Sequence, residues 1–144
     1  MDIVRKIRYD AVSKTTNEVM DMQLGIRLHE VNSSLPTERQ TLAARAATAR
    51  EEGFSCVHLA LQKVIQGVSF TPDTLTEGLA CRVRRVLEGE QLDIAVLGCY
   101  LNLAHPDPEQ LRQIQERYCA HLRIARLMGA CMVGTETGAP NAAY

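Results

Sequence analysis

Four short apolar runs, QLGIRLHE (23–30), SCVHLAL (55–61), LDIAVLGCYLNL (92–103) and ACMVG (130–134), begin 32 to 38 residues apart. Each gap holds a helix-sized segment that opens on capping residues and closes on glycine. That spacing is too long for hairpins and suits a crossover helix between parallel strands. Thr37 followed by Gln40 predicts a capping box for a helix ending at Glu52, with Gly53 as its stop. Thr71 and Pro72 predict the start of a second helix, in which Leu75, Leu79, Val83 and Val86 form one apolar stripe and Gly89 the end. Asp107, Pro108 and Glu109 predict the third, with Leu111, Ile114, Tyr118 and Ala125 facing the core and Gly129 closing it. The order β-α-β-α-β-α-β is that of a parallel α/β protein.

Side chains alternate across a strand, which sorts each run into two faces. Leu24, Ile26 and Leu28 fall on one face of the first run, and Gly25, Arg27 and His29 on the other. The second divides into Val57, Leu59 and Leu61 against Cys56, His58 and Ala60. Gly98, Tyr100 and Asn102 share a parity at the end of the third if extension persists, as do Met132, Gly134 and Glu136 at the fourth. One set is apolar and suits packing under helices. The other is small at depth and polar toward the C-terminal end, as the interior and rim of a (β/α) barrel require. An open doubly wound sheet also binds ligands at that edge, but no glycine-rich phosphate loop follows the first run.

With 16 Lys plus Arg against 17 Asp plus Glu, the net charge of -1 gives no field for nucleic acid or an anionic membrane. Aromatics at 4 % and the absence of Trp argue against a base-stacking platform. No apolar run has the roughly 20 residues of a membrane span. Of five cysteines, an odd count without a CxxC, Cys56, Cys99 and Cys131 lie in apolar runs. Reduced, buried thiols in a cytoplasmic protein are the expectation. Residues 1–21 are charged throughout and read as an N-terminal extension. Either Ile3, Val4, Ile7 and Ala11 make one face of a short helix, or the segment lies upstream of a start at Met20 or Met22.

GIRLHE, EEGFSCVHLAL, LDIAVLGCYLNLAHPD and LMGACMVGTETGAPN together resemble the sugar phosphate isomerase/epimerase family, whose fold is the xylose isomerase-like TIM barrel. The resemblance runs over residues 22–144 and is carried most specifically by CYLNLAHPD and GTETG. It implies a parallel (βα)4 half of a (β/α)8 barrel, with strands 1 to 4 present. It further implies a divalent metal (Mn, Mg, Co or Zn) held by Glu, Asp, His and Glu from strands 5 to 8, for which these four strands offer no positions. The substrate implied is a small sugar or sugar phosphate, isomerised by proton transfer beside a carbonyl or hydroxyl. The expectation is a chain inactive alone, with a homodimer as one way to complete the barrel. The alternative is a non-catalytic half barrel that self-associates or binds a small ligand. An abasic-site endonuclease shares the barrel, but the balanced charge and lack of wedge aromatics weigh against it.

At the rim, Glu136 is the candidate catalytic acid/base, or else a structural acid bonded to the backbone of the next loop. Arg27 and His29 are candidates for a sugar hydroxyl or phosphate, the alternative for this pair being a salt bridge to Glu30. His58 is a substrate-side histidine or a hydrogen-bonded structural one. Asn102 is a donor to a substrate oxygen or a turn residue. His105, ahead of a proline and a cap, is expected to serve its loop.

Overall fold

The computed structural model describes residues 23–135. The expectations for residues 1–21 and for Glu136 concern positions outside that range. Strands β1 (Gly25–Arg27), β2 (Cys56–Ala60), β3 (Asp93–Gly98) and β4 (Val133–Gly134) form one sheet in the order β1-β2-β3-β4, parallel throughout. Helix α1 (Leu42–Glu51) joins β1 to β2, α2 (Leu61–Val64) and α3 (Glu77–Gly89) join β2 to β3, and α4 (Pro108–Met128) joins β3 to β4. Right-handed crossovers between strands in sequential order put every helix on the same side of the sheet. A doubly wound sheet reverses its strand order and places helices on both faces. This sheet is therefore singly wound, an arrangement compatible with half of a barrel.

The core lies between the helices and one strand face. Leu28, Val57, Leu59, Ile94 and Leu97 from the sheet pack with Ala46 and Ala49 of α1, Ala80, Val83 and Leu87 of α3, and Ile124, Ala125 and Met128 of α4. The small Ala46 and Ala49 of α1 are fully buried, and the helix lies against α3. Of the stripe expected on the second helix, Val83 is buried and Leu79 and Val86 are half-buried, while Leu75 precedes the helix. On α4, Ala125 is buried as expected, but Leu111, Ile114 and Tyr118 are only half-buried. Leu24 falls outside the core at 59 % exposure because the sheet begins after it.

Two helix starts differ from expectation. Thr37 caps nothing: Thr37–Arg39 is a single 3-10 turn, and the cap of α1 is Thr41, whose hydroxyl accepts from the Ala44 N–H. Gln40 instead ties the preceding loop, its side-chain amide donating to the Leu35 and Ser33 carbonyls. Likewise Thr71 and Pro72 belong to a turn closed by Thr74, and Thr76 caps α3 by accepting from the Leu79 N–H. Asp107 caps α4 as expected, accepting from the Gln110 N–H at 2.9 Å with Pro108 behind it.

The ends of α1, α3 and α4 share one device. After α4, Gly129 turns left-handed (φ 75°), the Ala130 N–H donates to the Ala125 carbonyl, and the Gly129 N–H donates to that of Arg126. Gly53 closes α1 with the same Schellman pair of bonds. For α3 the left-handed residue is Gln91 (φ 56°), not a glycine; Gly89 is the last helical residue.

All five cysteines are free thiols; Cys56 and Cys99 are buried, whereas Cys131, expected inside, is exposed with Cys81 and Cys119. Among the described residues, no helix is long and apolar enough to cross a membrane.

Candidate functional site

The second strand face, opposite the helices, gathers polar side chains at its C-terminal edge. Arg27 ends β1 and pairs with His58 of β2, which pairs in turn with Val96 of β3. A bulge in β3 leaves Ala95 without a partner between Ile94, opposite Val57, and Val96, opposite His58. Ile94 and Gly98 thus have the same sequence parity and opposite orientations: Ile94 points into the helix-side core, and Gly98 lies under His58. A Cβ at Gly98 would overlap the His58 imidazole, so the missing side chain is the space the ring fills. At a neighbouring position, a Cβ on Gly134 would come within 2.9 Å of the Val96 side chain.

Beyond Gly98 the chain leaves the extended conformation. Tyr100 is left-handed (φ 44°), which breaks the parity projected through Tyr100 to Asn102. The turn sets the Tyr100 ring 6.0 Å from that of His58. Lys63, one turn past β2 on α2, places its ammonium 4.1 Å from the centre of the Tyr100 ring. His29 meets His58 edge-to-face with ring centres 6.3 Å apart. Arg27, His29, His58, Lys63 and Tyr100 therefore form one cluster drawn from the ends of three strands.

The loop carrying His29 is fixed from behind by Arg45 of α1. That guanidinium is 3 % exposed and donates to the backbone carbonyls of Leu28, His29, Val31 and Gln40 and to the Gln40 side chain. A fork of five donors meets several carbonyls of a curved loop in a way no lysine could. Glu30 pairs with Arg27 at 2.6 Å, the salt bridge that sequence left open for this strand end, with Arg27 and not His29 as its partner among the described residues.

Electrostatically the cluster favours neutral imidazoles. Burial, then the Lys63 charge, holds His29 below the ordinary histidine range, opposed by Glu30. Burial, then Arg27 and Lys63, does the same to His58. The Nδ1 of His29 is buried without a hydrogen-bond partner.

Other candidates are placed differently. The Oδ1 of Asn102 accepts from the Ala104 N–H at 3.0 Å, so its side chain serves the turn. His105 also serves its loop, its Nδ1 accepting from the Asp107 N–H. Thr135 bridges the β3 and β4 exits, its hydroxyl accepting from the Leu101 N–H and donating to the Leu101 carbonyl. Glu136 lies beyond the described residues. Lys63 and Tyr100 were not singled out as binding residues from sequence. The signal for Lys63 would have been a helix beginning directly at the strand end; for Tyr100, no local pattern announces a left-handed tyrosine.

As a metal centre the cluster fits poorly. No three His, Cys, Asp or Glu side chains among the described residues converge to hold an ion. Two imidazoles and one ion-paired carboxylate facing two fixed cations would repel a divalent cation. The sequence matches no family model and no curated protein.

Proposed function

We propose that this chain supplies four βα units of a (β/α)8 barrel of the sugar phosphate isomerase/epimerase type, binding a small sugar or sugar phosphate at the C-terminal edge of its sheet. The observation that carries this reading is the convergence of Arg27, His29 and His58 with Tyr100 at that edge, on the face opposite the helices. Singly wound order supports the barrel: it leaves β1 and β4 with one open edge each among the described residues. Parallel strands are normally paired or covered at their edges. Further strands would come from a second copy of this chain or from other polypeptide, and five free thiols suit a cytoplasmic setting.

In the closed barrel, neutral His29 and His58 would hydrogen-bond sugar hydroxyls, each with one donor and one acceptor nitrogen. Proton transfer beside a carbonyl would fall to a carboxylate, for which Glu136 stands as the candidate. The divalent metal belongs to this proposal only as a group held by other strands, since the described donors do not suit it. The open edges of β1 and β4 among the described residues also fit a second reading, a half barrel that self-associates or binds a small ligand without turnover.

Light scattering combined with a sugar panel assayed with Mn²⁺, Mg²⁺, Co²⁺ or Zn²⁺ separates these readings. A dimer with epimerase or isomerase turnover, lost in His58→Ala, is the expected result for a completed barrel. Saturable sugar binding without turnover in any assembly would move the conclusion to the binding half barrel. Neither binding nor turnover across the panel would overturn both.

A further inference from the structure

We propose that the rim cluster is a subsite for an anionic oxygen group, a phosphate monoester or carboxylate on a small polyol, with Lys63 and Arg27 as its charges and His29 and His58 as its hydrogen-bonding walls. The proposal rests on the reading that this edge faces a small sugar, and narrows the ligand to an acidic one.

Three observations point to it. The first is charge. Among the described residues, Arg27 and Lys63 have one carboxylate beside them, Glu30, which pairs with Arg27 and leaves the Lys63 charge without a described counter-ion. A neutral polyol has no need of two cations. A phosphate or carboxylate gains charge-assisted hydrogen bonds from both.

The second is the placement of Lys63. Its ammonium rests over the Tyr100 ring and makes no ion pair among the described residues. An aromatic face holds a cation while leaving its outer N–H groups open to a second partner. Tyr100 adopts φ 44° to present that face, a conformation that costs a non-glycine residue roughly 1–3 kcal/mol and is concentrated at ligand sites.

The third is an unmet polar atom. The Nδ1 of His29 is buried without a partner although its ring borders His58, and buried polar atoms are ordinarily satisfied. A turn of the His29 ring toward an anion beside Lys63 would give that atom the acceptor it lacks. The anion would also offset the pressure of Arg27 and Lys63 on both rings, so that binding draws protons onto them; Glu30 already acts in that direction, and Tyr100 is the remaining titratable neighbour among the described residues.

The test follows the imidazole ring resonances of the full 144-residue chain during titration with inorganic phosphate, glucose 6-phosphate, gluconate and glucose. His29 and His58 should shift saturably with the phosphates, with gluconate, or with both, which distinguishes the two anion sources. His121, buried on α4 at the helix side, should stay fixed. Lys63→Gln should weaken anion affinity about tenfold, and Lys63→Arg should largely retain it. Lys63 is exposed, so neither variant threatens folding. If glucose shifts the two rings as strongly as glucose 6-phosphate and Lys63→Gln changes nothing, the anion subsite is overturned while the sugar reading survives. If inorganic phosphate binds with the expected Lys63 dependence and glucose 6-phosphate binds no better, the subsite stands and the sugar reading falls. Silence of both rings toward every probe overturns both.

Discussion

Gly98 shows how much one missing side chain decides. Strand parity alone gives it the same orientation as Ile94, and only the bulge at Ala95 turns it beneath His58. The imidazole can occupy that space because no Cβ is there. Gly98→Ala should therefore push the ring away from Tyr100 and cost about 1 kcal/mol, the low end of overpacking penalties because the obstacle is the tip of a movable side chain. A double-mutant cycle checks this: in a His58→Ala background the same substitution should cost less, and the coupling should be favourable. Equal costs in both backgrounds would place the strain in the backbone instead. Arg45 teaches the complementary lesson, since nothing in AARAATARE marks this one arginine as buried. Its role appears only once the carbonyls of Leu28, His29 and Val31 curl toward it.

At the level of elements, the four strands, the three longer helices and their order were legible, because apolar runs and glycine stops are local signals, whereas the short α2 directly after β2 was not. Exact helix starts were not, because two threonines competed for each cap. Thr37 satisfies the capping-box pattern, yet Pro36 and a 3-10 turn precede the true cap four residues later. Thr41→Ala should lower stability by about 1 kcal/mol, and Thr37→Ala should be nearly neutral; urea unfolding of the two variants checks which threonine holds the helix. The end of α3 misled for a similar reason. Gly89 draws the eye, but the left-handed turn falls on Gln91, where a side chain is unfavourable. Gln91→Gly should raise stability by up to about 1 kcal/mol, since a left-handed non-glycine residue costs of that order. The substitution also gives up the exposed hydrogen bond from Arg50 to the Gln91 side chain, which offsets little. A lower unfolding midpoint would show that this contact outweighs the backbone term. The rim cluster was half legible: parity brought out Arg27, His29 and His58, whereas Lys63 and Tyr100 depend on how the chain turns after each strand.

For the whole molecule, three histidines on different elements tie stability to pH in the same direction. His29 and His58 at the rim are held below the ordinary value by burial foremost, with Lys63 and Arg27 adding to it. His121 is 1 % exposed inside α4, with Nδ1 against the Arg117 carbonyl and Nε2 unpartnered, and burial is again the main cause. In the unfolded chain each takes up a proton near the ordinary histidine pKa of about 6.5. The folded chain does so only at lower pH. Between those values the unfolded state binds more protons, so stability rises with pH. It is therefore fully present above about pH 7 and falls as the pH drops through 6.5 toward the lowered folded values. Urea midpoints measured from pH 7.5 to 5.5 should decline steadily, and His121→Leu should flatten part of the decline. Saturating inorganic phosphate should flatten another part if it draws protons onto His29 and His58, because the folded state would then protonate alongside the unfolded one. A flat profile in the wild-type chain would mean that the three rings are hydrated in the folded state and titrate as they do in the unfolded chain.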